Sequence, residues 1–331
     1  MAGDGDLRWG IIGTGGIAGQ FVADLLLTSS GQAVAVGSRS VDRGGEFARE
    51  HGIATAYGSY EALVADERVE AVYVAVPNPF HHDCARLALE AGKAVLVEKP
   101  FTMDAAEAHD LVTLAGERGL FLMEGMWTRC LPHVRHIEEL IGEGRLGEVR
   151  LVLAELGFAA PRDASHRLYN PSLGGGALLD LGVYLLWLAS TALGRPSVVH
   201  AEATFGFTGV DAQTSMVLEH ASGAQAMLAA TLEAALANRA VIAGCDGRIE
   251  VEGIWFRPTA FSLVERSGAR ERFDHSLKGS GLRFEAEEVA RCVRDGLLQS
   301  PRVPLADTLA IMATMDEMRR QIGLTYPSTE L

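Results

Sequence analysis

Positive charge is in short supply in this sequence. Its 29 Lys and Arg stand against 43 Asp and Glu, a formal net charge of -14, and no stretch gathers the cations into a basic face. Such a surface repels phosphate backbones and anionic lipid, so neither a nucleic acid nor a membrane is expected as a partner. Long apolar runs are missing as well: nowhere do the roughly 18 uninterrupted apolar residues of a membrane span occur. The opening "MAGDGDLRWGII" lacks the positive flank and the apolar stretch of about 7 to 15 residues that marks a secretory leader. A cytoplasmic protein is the expectation. Cysteine is sparse, and Cys84, Cys130, Cys245 and Cys292 form no C-x-x-C pair, which argues against a zinc site or a disulfide framework. His81-His82 and the scattered acids have no ligand spacing, so no metal is expected either.

What the chain does have is length and rhythm. Its 331 residues suggest two domains. Short apolar runs alternate with helical patterns from "LRWGIIG" and "IAGQFVADLLL" through "EAVYVAVP", "DCARLALEAGK", "AVLVEKP" and "DAAEAHDLVTLAGERG" to "LFLME". Alternation of this kind calls for a parallel sheet with helices on both faces, so a doubly wound Rossmann domain is expected over residues 1–128.

Within that rhythm "GTGGIA" satisfies G-x-G-x-x-A directly after a strand and at the start of a helix. Gly13 permits the tight turn, Gly15 lets the backbone approach a pyrophosphate, and Ala18 lets helix and strand pack closely. Thr14, Gly16 and Ile17 complete the loop, whose helical amides face the anion. An NAD enzyme usually places an acid at the end of the second strand to accept from the ribose hydroxyls. Here the chain reads "GSRSVDR", so Ser38, Arg39 and Arg43 are candidates to hold a 2'-phosphate. NADP(H) is the expected cofactor, with NAD(H) as the alternative.

With "VAVPNPFHHDCARLALEAGKAVLVEKPFT" the chain resembles the family of glucose-fructose oxidoreductases and inositol dehydrogenases, Gfo/Idh/MocA, whose members carry P-N-x-x-H and then A-G-K-x-V-x-x-E-K-P. Pro77, Asn78, His81, Ala91, Gly92, Lys93, Glu98, Lys99 and Pro100 all stand in place. The segments "AYGSYEALVADERVEAVY", "LFLMEGMWTRCLP", "GGALLDLGVY" and "RRQIGLTYP" resemble the branch of dimeric dihydrodiol dehydrogenases and NADP-dependent D-xylose dehydrogenases. The resemblance implies that Pro77, Asn78, His81 and Glu98 lie on the cofactor side, with Asn78 and Glu98 toward the ribose and nicotinamide end. It implies a catalytic Lys99 and a cis bond before Pro100. Lys99 also follows a strand at the carboxyl end of the sheet, where ligands of open parallel sheets bind. His81 reads better as a helix-start or packing residue than as a catalyst.

Beyond residue 128 the pattern changes. Strand-like segments follow one another, from "VRLVLAELGF" and "SVVHAEATFGF" to "AFSLVE" and "ARERFDH", before two closing helices near 284–298 and 305–322. An α+β domain with a large, open, mostly antiparallel sheet is expected over 129–331. The resemblance implies that this sheet binds substrate on one side and pairs with a second subunit.

The segment "GGGALLDLGVYLLWL" interrupts a run suited to burial with Asp180 and Tyr184, four residues apart. A helix over Ala177–Leu193, stopped by Gly194 and Pro196, puts both on one face. A core tyrosine tied to a carboxylate would look the same. The resemblance implies that the segment faces the nicotinamide, with Tyr184 where many members carry His. Tyr184 is then the acid-base in hydride transfer at a carbinol carbon. Free tyrosine titrates near about 10, and a nearby cation such as Lys99 favours its phenolate. Asp180 orients substrate or Lys99. Trp127, Arg129 and Phe158 are candidate substrate contacts, with Arg162, Asp163 and His166 in the loop "APRDASHRLYNPS" as weaker ones.

The expected function is NADP-dependent oxidation or reduction of a secondary alcohol, hemiacetal or ketone of a sugar, cyclic diol or similar polyol. Three alternatives stand beside it: a ketoreductase of a nucleotide-linked keto-sugar, a catalytically silent NADP-binding sensor and, as the resemblance implies, an NAD-dependent glycosidase, which Tyr184 and the NADP-like "SRS" weaken.

Overall fold

The first strands of the chain are mostly apolar and almost wholly buried, as a parallel sheet covered by helices requires. The computed structural model describes residues 6–327. Two compact units form, one from residues 6–130 with Lys278–Leu309 and one from Leu131–Leu277 with 310–327.

In the first unit, β1 (Leu7–Ile12), α1 (Gly16–Leu25), β2 (Gly31–Gly37), α2 (Val41–His51), β3 (Thr55–Tyr57) and α3 (Tyr60–Val64) lead to β4 (Ala71–Val74), α4 (His81–Glu90), β5 (Ala94–Glu98), α5 (Ala105–Arg118) and β6 (Leu122–Gly125). The strands form one sheet in the order β3-β2-β1-β4-β5-β6, every neighbouring pair parallel. This is the expected doubly wound fold. Its strand order reverses between β1 and β4, where ligands of such sheets bind beyond the strand ends. Helix boundaries follow local chemistry: Ser40, Ser59 and Asp104 accept the first amides of α2, α3 and α5, and left-handed Gly52 and Gly119 end α2 and α5. The core under α1 is aromatic. Phe21 stacks on Tyr73 at 4.0 Å and meets Trp9 edge-on at 5.2 Å.

In the second unit, α6 (Pro132–Gly142) and β7 (Val149–Gly157) precede α7 (Val183–Leu193). Then come β8 (Val198–Phe205), β9 (Asp211–Glu219), β10 (Gln225–Thr231), β11 (Ala240–Gly244), β12 (Gly247–Val251), β13 (Ala260–Glu265) and β14 (Arg270–Asp274). They make an eight-stranded sheet in the order β14-β13-β12-β11-β7-β10-β9-β8, antiparallel except where β7 meets β10. Alternating burial along β9 and β10 leaves one face covered and one open. The segment Pro171–Leu193 is long and apolar enough to cross a membrane, yet 78 % of its most apolar stretch is buried inside the protein. It is the covering of the sheet: α7 packs on β7 and β10.

The chain closes with α8 (Arg283–Arg294) and α9 (Leu305–Ile322). The first of these ends earlier than its apolar pattern predicts, because Gly296 turns left-handed (φ +68°) and Leu298 then receives the Leu122 amide at the edge of β6. Asp24 of α1 is buried and accepts the amides of Ser280 and Gly281 at 3.0 and 2.7 Å, which ties the returning segment into the first unit.

Candidate functional site

The glycine loop sits between β1 and α1, beside the reversal of strand order. Gly13 has φ +108°, and a methyl group on it would lie 2.4 Å from the Ala75 carbonyl oxygen, so only glycine makes this turn. Around Gly15 and Gly16 the opposite holds: a methyl on either would meet nothing within 4 Å. No side chain caps α1, so its first amides point from an uncapped N-terminus into that open cradle. Ala18 is fully buried against the sheet. The loop therefore fits a dinucleotide pyrophosphate, with Gly13, Thr14, Gly15, Gly16 and Ile17 as its wall.

At the end of β2, buried Ser38 accepts the Ser40 amide at 3.2 Å, and Ser40 in turn accepts the amide of exposed Arg43. Arg39 is exposed, with its guanidinium 5.1 Å from the Phe80 ring centre and hydrogen-bonded to Tyr60. Burial nonetheless raises the Tyr60 hydroxyl above its ordinary pKa.

Asn78 begins a single 3-10 turn ahead of α4, after exposed Pro77. His81 is fully enclosed, its Nδ1 2.8 Å from the Pro100 carbonyl and its Nε2 2.9 Å from the Val76 carbonyl. Burial holds its pKa below the ordinary value, and the neutral ring donates to only one of the two. Glu98 is buried at the end of β5, where it accepts the Tyr73 hydroxyl and, at 3.2 Å, the Lys99 amide. Lys99 is half-buried and joined to Pro100 by a cis peptide. Trp127 is buried in a 3-10 turn, and Arg129 donates from Nε to the Arg302 carbonyl at 3.1 Å.

In the second unit Asp180 lies on a wide π turn, Leu178–Gly182, immediately ahead of α7. A plain α-helix over the whole segment is thus replaced by two geometries, a departure common at functional sites. Its cause is Asp211. This buried carboxylate accepts the Leu178 amide at 2.7 Å and the Thr214 hydroxyl at 2.6 Å, capping the segment from another strand. Desolvation pushes Asp211 up to about 6. Gly176 is required beneath it: at φ +127° a methyl there would stand 2.1 Å from Asp211 Oδ1. Tyr326 closes the turn by donating to the Gly175 carbonyl at 2.7 Å.

Asp180 accepts from Arg167 Nη1 at 2.9 Å, a contact that compensates a charge on a side chain only 7 % exposed. Tyr184 is 5 % exposed and stacks on Phe256 at 4.7 Å and 29°. Arg257 lies 5.8 Å over the other partner of that stack, the Phe256 ring. Phe256 is held through its neighbour: Trp255 donates its amide to Asn238 and its indole N–H to Glu155, while its carbonyl accepts from His133 at 2.9 Å. Burial pushes His133 down to about 4, so the ring is neutral.

Arg167 and Phe256 are absent from the residues that the sequence singles out. Arg167 stood one position beyond His166 in the loop already suspected, and Phe256 has no motif around it. Phe158 is exposed at the end of β7, and the loop after it spends its charges locally. Arg162 lies 5.0 Å over Phe207, and Asp163 accepts from the Ser165 amide and hydroxyl at 2.8 Å.

Known proteins resemble this chain along nearly its whole length. A family model described as an oxidoreductase family with an NAD-binding Rossmann fold matches residues 7–126, and one described as the GFO/IDH/MocA C-terminal domain matches residues 134–250. A trans-1,2-dihydrobenzene-1,2-diol dehydrogenase of Mus musculus is 37 % identical, over 97 % of this chain and 98 % of its own. Its counterpart in Xenopus tropicalis is 36 % identical, over 97 % and 99 %. Among solved structures, a 3-ketoreductase from Actinomadura kijaniata in complex with NADP and TDP-benzene superposes with a TM-score of 0.84 at 30 % identity, covering 96 % of this chain and 98 % of that one. An aldose-aldose oxidoreductase from Caulobacter crescentus shares the fold, with a TM-score of 0.87 at 23 % identity over 96 % and 97 %.

Proposed function

This chain belongs to the Gfo/Idh/MocA family of oxidoreductases and acts on CH–OH groups, and we propose that it transfers hydride between NADP(H) and a secondary alcohol, hemiacetal or ketone of a sugar, cyclic diol or related polyol. What carries this reading is a buried carboxylate and a buried phenol, Asp180 and Tyr184, in a segment otherwise apolar. Ionisable groups brought together in an otherwise apolar segment are a recurring mark of functional sites.

When bound, the nicotinamide accepts or returns the hydride. The chain supplies the proton. Tyr184 takes the proton of the substrate hydroxyl as the alcohol is oxidised and gives it to the developing alkoxide in the reverse direction. Lys99 supplies the positive charge that favours the phenolate. Asp180, held by Arg167, orients the substrate hydroxyls, while Phe256 fixes the plane of the Tyr184 ring. Asn78, Glu98 and His81 belong to the nicotinamide end, and Trp127, Arg129 and Phe158 to the walls around substrate. Ser38, Arg39 and Arg43 favour the 2'-phosphate, because no acid stands at the end of β2 to repel it.

The curated relatives' name favours a small cyclic diol as substrate, and a cytoplasmic location is compatible with the reading. The ketoreductase solved with TDP-benzene favours a second reading, reduction of a nucleotide-linked keto-sugar. One set of assays separates them. Purified protein is followed by NADPH absorbance with NADP plus aldoses and cyclic diols, and with NADPH plus diketones and keto-sugars, free and nucleotide-linked. Turnover of free diols or sugars supports the first reading, and turnover of nucleotide-linked keto-sugars alone supports the second. NADPH binding without turnover anywhere makes the protein a silent sensor. In the active pair, Tyr184→Phe lowers kcat at least about 10²-fold with NADPH affinity intact, and kcat/KM is higher with NADP than with NAD. Unchanged turnover in the variant sinks the acid-base assignment; equal efficiency with NAD sinks the cofactor preference.

A further inference from the structure

The peptide that carries Lys99 is anchored on both sides within the first unit. Before it, Glu98 accepts the Lys99 amide on Oε2 at 3.2 Å and the Tyr73 hydroxyl on Oε1. After it, the Pro100 carbonyl meets His81 Nδ1 at 2.8 Å, and the far side of the same ring meets the Val76 carbonyl. Tyr73 itself is wholly enclosed in β4 and stacked on Phe21 of α1. Phenylalanine would fill that space equally well. A buried hydroxyl is costly unless bonded, and the Tyr73 hydroxyl donates to Glu98.

We propose that Tyr73 is a positioning residue for hydride transfer, fixing through Glu98 the backbone from which Lys99 projects. The inference rests on Lys99 acting as read above. Glu98 is only 5 % exposed, so each of its oxygens depends on a donor in the protein. Removing the Tyr73 hydroxyl takes one donor from that carboxylate, which then turns and loosens its hold on the Lys99 amide. A shift of about 1 Å in a catalytic group is enough to slow a reaction by orders of magnitude.

The test compares Tyr73→Phe, Lys99→Ala, the double variant, and Phe21→Leu as a packing control. Tyr73→Phe is expected to lower kcat about tenfold, equivalent to about 1.4 kcal/mol, with KM for substrate and Kd for NADPH within twofold. Phe21→Leu lowers the melting temperature and leaves kcat within twofold. The double variant is no slower than Lys99→Ala alone, since a positioning residue has nothing left to position. Full activity in Tyr73→Phe beside an impaired Lys99→Ala overturns the role of Tyr73 alone, as does a fully additive loss in the double variant. An unimpaired Lys99→Ala overturns the reading of Lys99 and this inference with it.

Discussion

A methyl group on Gly13 would sit 2.4 Å from a backbone oxygen, whereas one on Gly15 would meet nothing within 4 Å. The two glycines thus answer to different demands, and their alanine variants separate folding from binding. Gly13→Ala is expected to destabilise the protein by more than about 1 kcal/mol, because the positive φ and the clash act together. Gly15→Ala should melt like the parent and weaken NADPH at least tenfold, since its methyl fills space that only a ligand needs. Thermal melts and NADPH fluorescence titrations read both, and a Gly15→Ala protein of parental affinity would remove the loop from the cofactor seat. The division of labour between the glycines was legible in the spacing G-x-G-x-x-A. Arg167 and Phe256 were not, because each matters through one contact with a residue distant in sequence, and no local pattern announces such a contact.

At the scale of elements, the segment bearing Asp180 and Tyr184 depends on two buried titrating groups outside it, and they pull in opposite directions with pH. Asp211 ordinarily titrates at 3.8 and is pushed up to about 6 in the fold. Its contribution to stability is full below 3.8 and is lost as pH rises through 6. His133 ordinarily titrates at 6.5 and is pushed down to about 4 by burial. Its contribution is present above 6.5 and is lost as pH falls through 4. Between about pH 4 and 6 the two slopes, each about 1.4 kcal/mol per pH unit at most, offset one another. Asp211→Asn keeps an acceptor for the Leu178 amide and removes one slope. Urea unfolding across this window should then show stability falling more steeply toward acid in the variant than in the parent; identical profiles would refute the burial argument for Asp211. The apolar pattern from Ala177 to its stop at Gly194 was readable in advance. The π turn was not, since the carboxylate that shapes it lies 33 residues from the amide it caps.

For the whole molecule, the alternation of strand and helix and then of strand upon strand was enough to anticipate a doubly wound sheet followed by a mostly antiparallel one. Pairing order in the second sheet was beyond reach, because β7 lies between β11 and β10 and runs parallel to β10, a long-range choice with no turn signal. The open face of that sheet holds a concavity of about 810 Å³ bordered by Leu153, Ser215, Val217, Met227 and Val241, with Leu153 and Met227 exposed. An apolar sheet face of this kind suits a second copy of the chain. We expect a dimer by sedimentation equilibrium and a monomer for Met227→Glu, with the melting temperature of the isolated subunit preserved; a parent that sediments as a monomer would end that expectation.

The first unit takes strands from the beginning of the chain and α8 from near its end, with Asp24 waiting for the amides of Ser280 and Gly281. On the ribosome the nucleotide-binding unit is therefore the first to be started and among the last to be finished. While the intervening residues are translated, its nascent sheet lacks α8, and Asp24 lacks the amide donors of Ser280, Gly281 and Arg283.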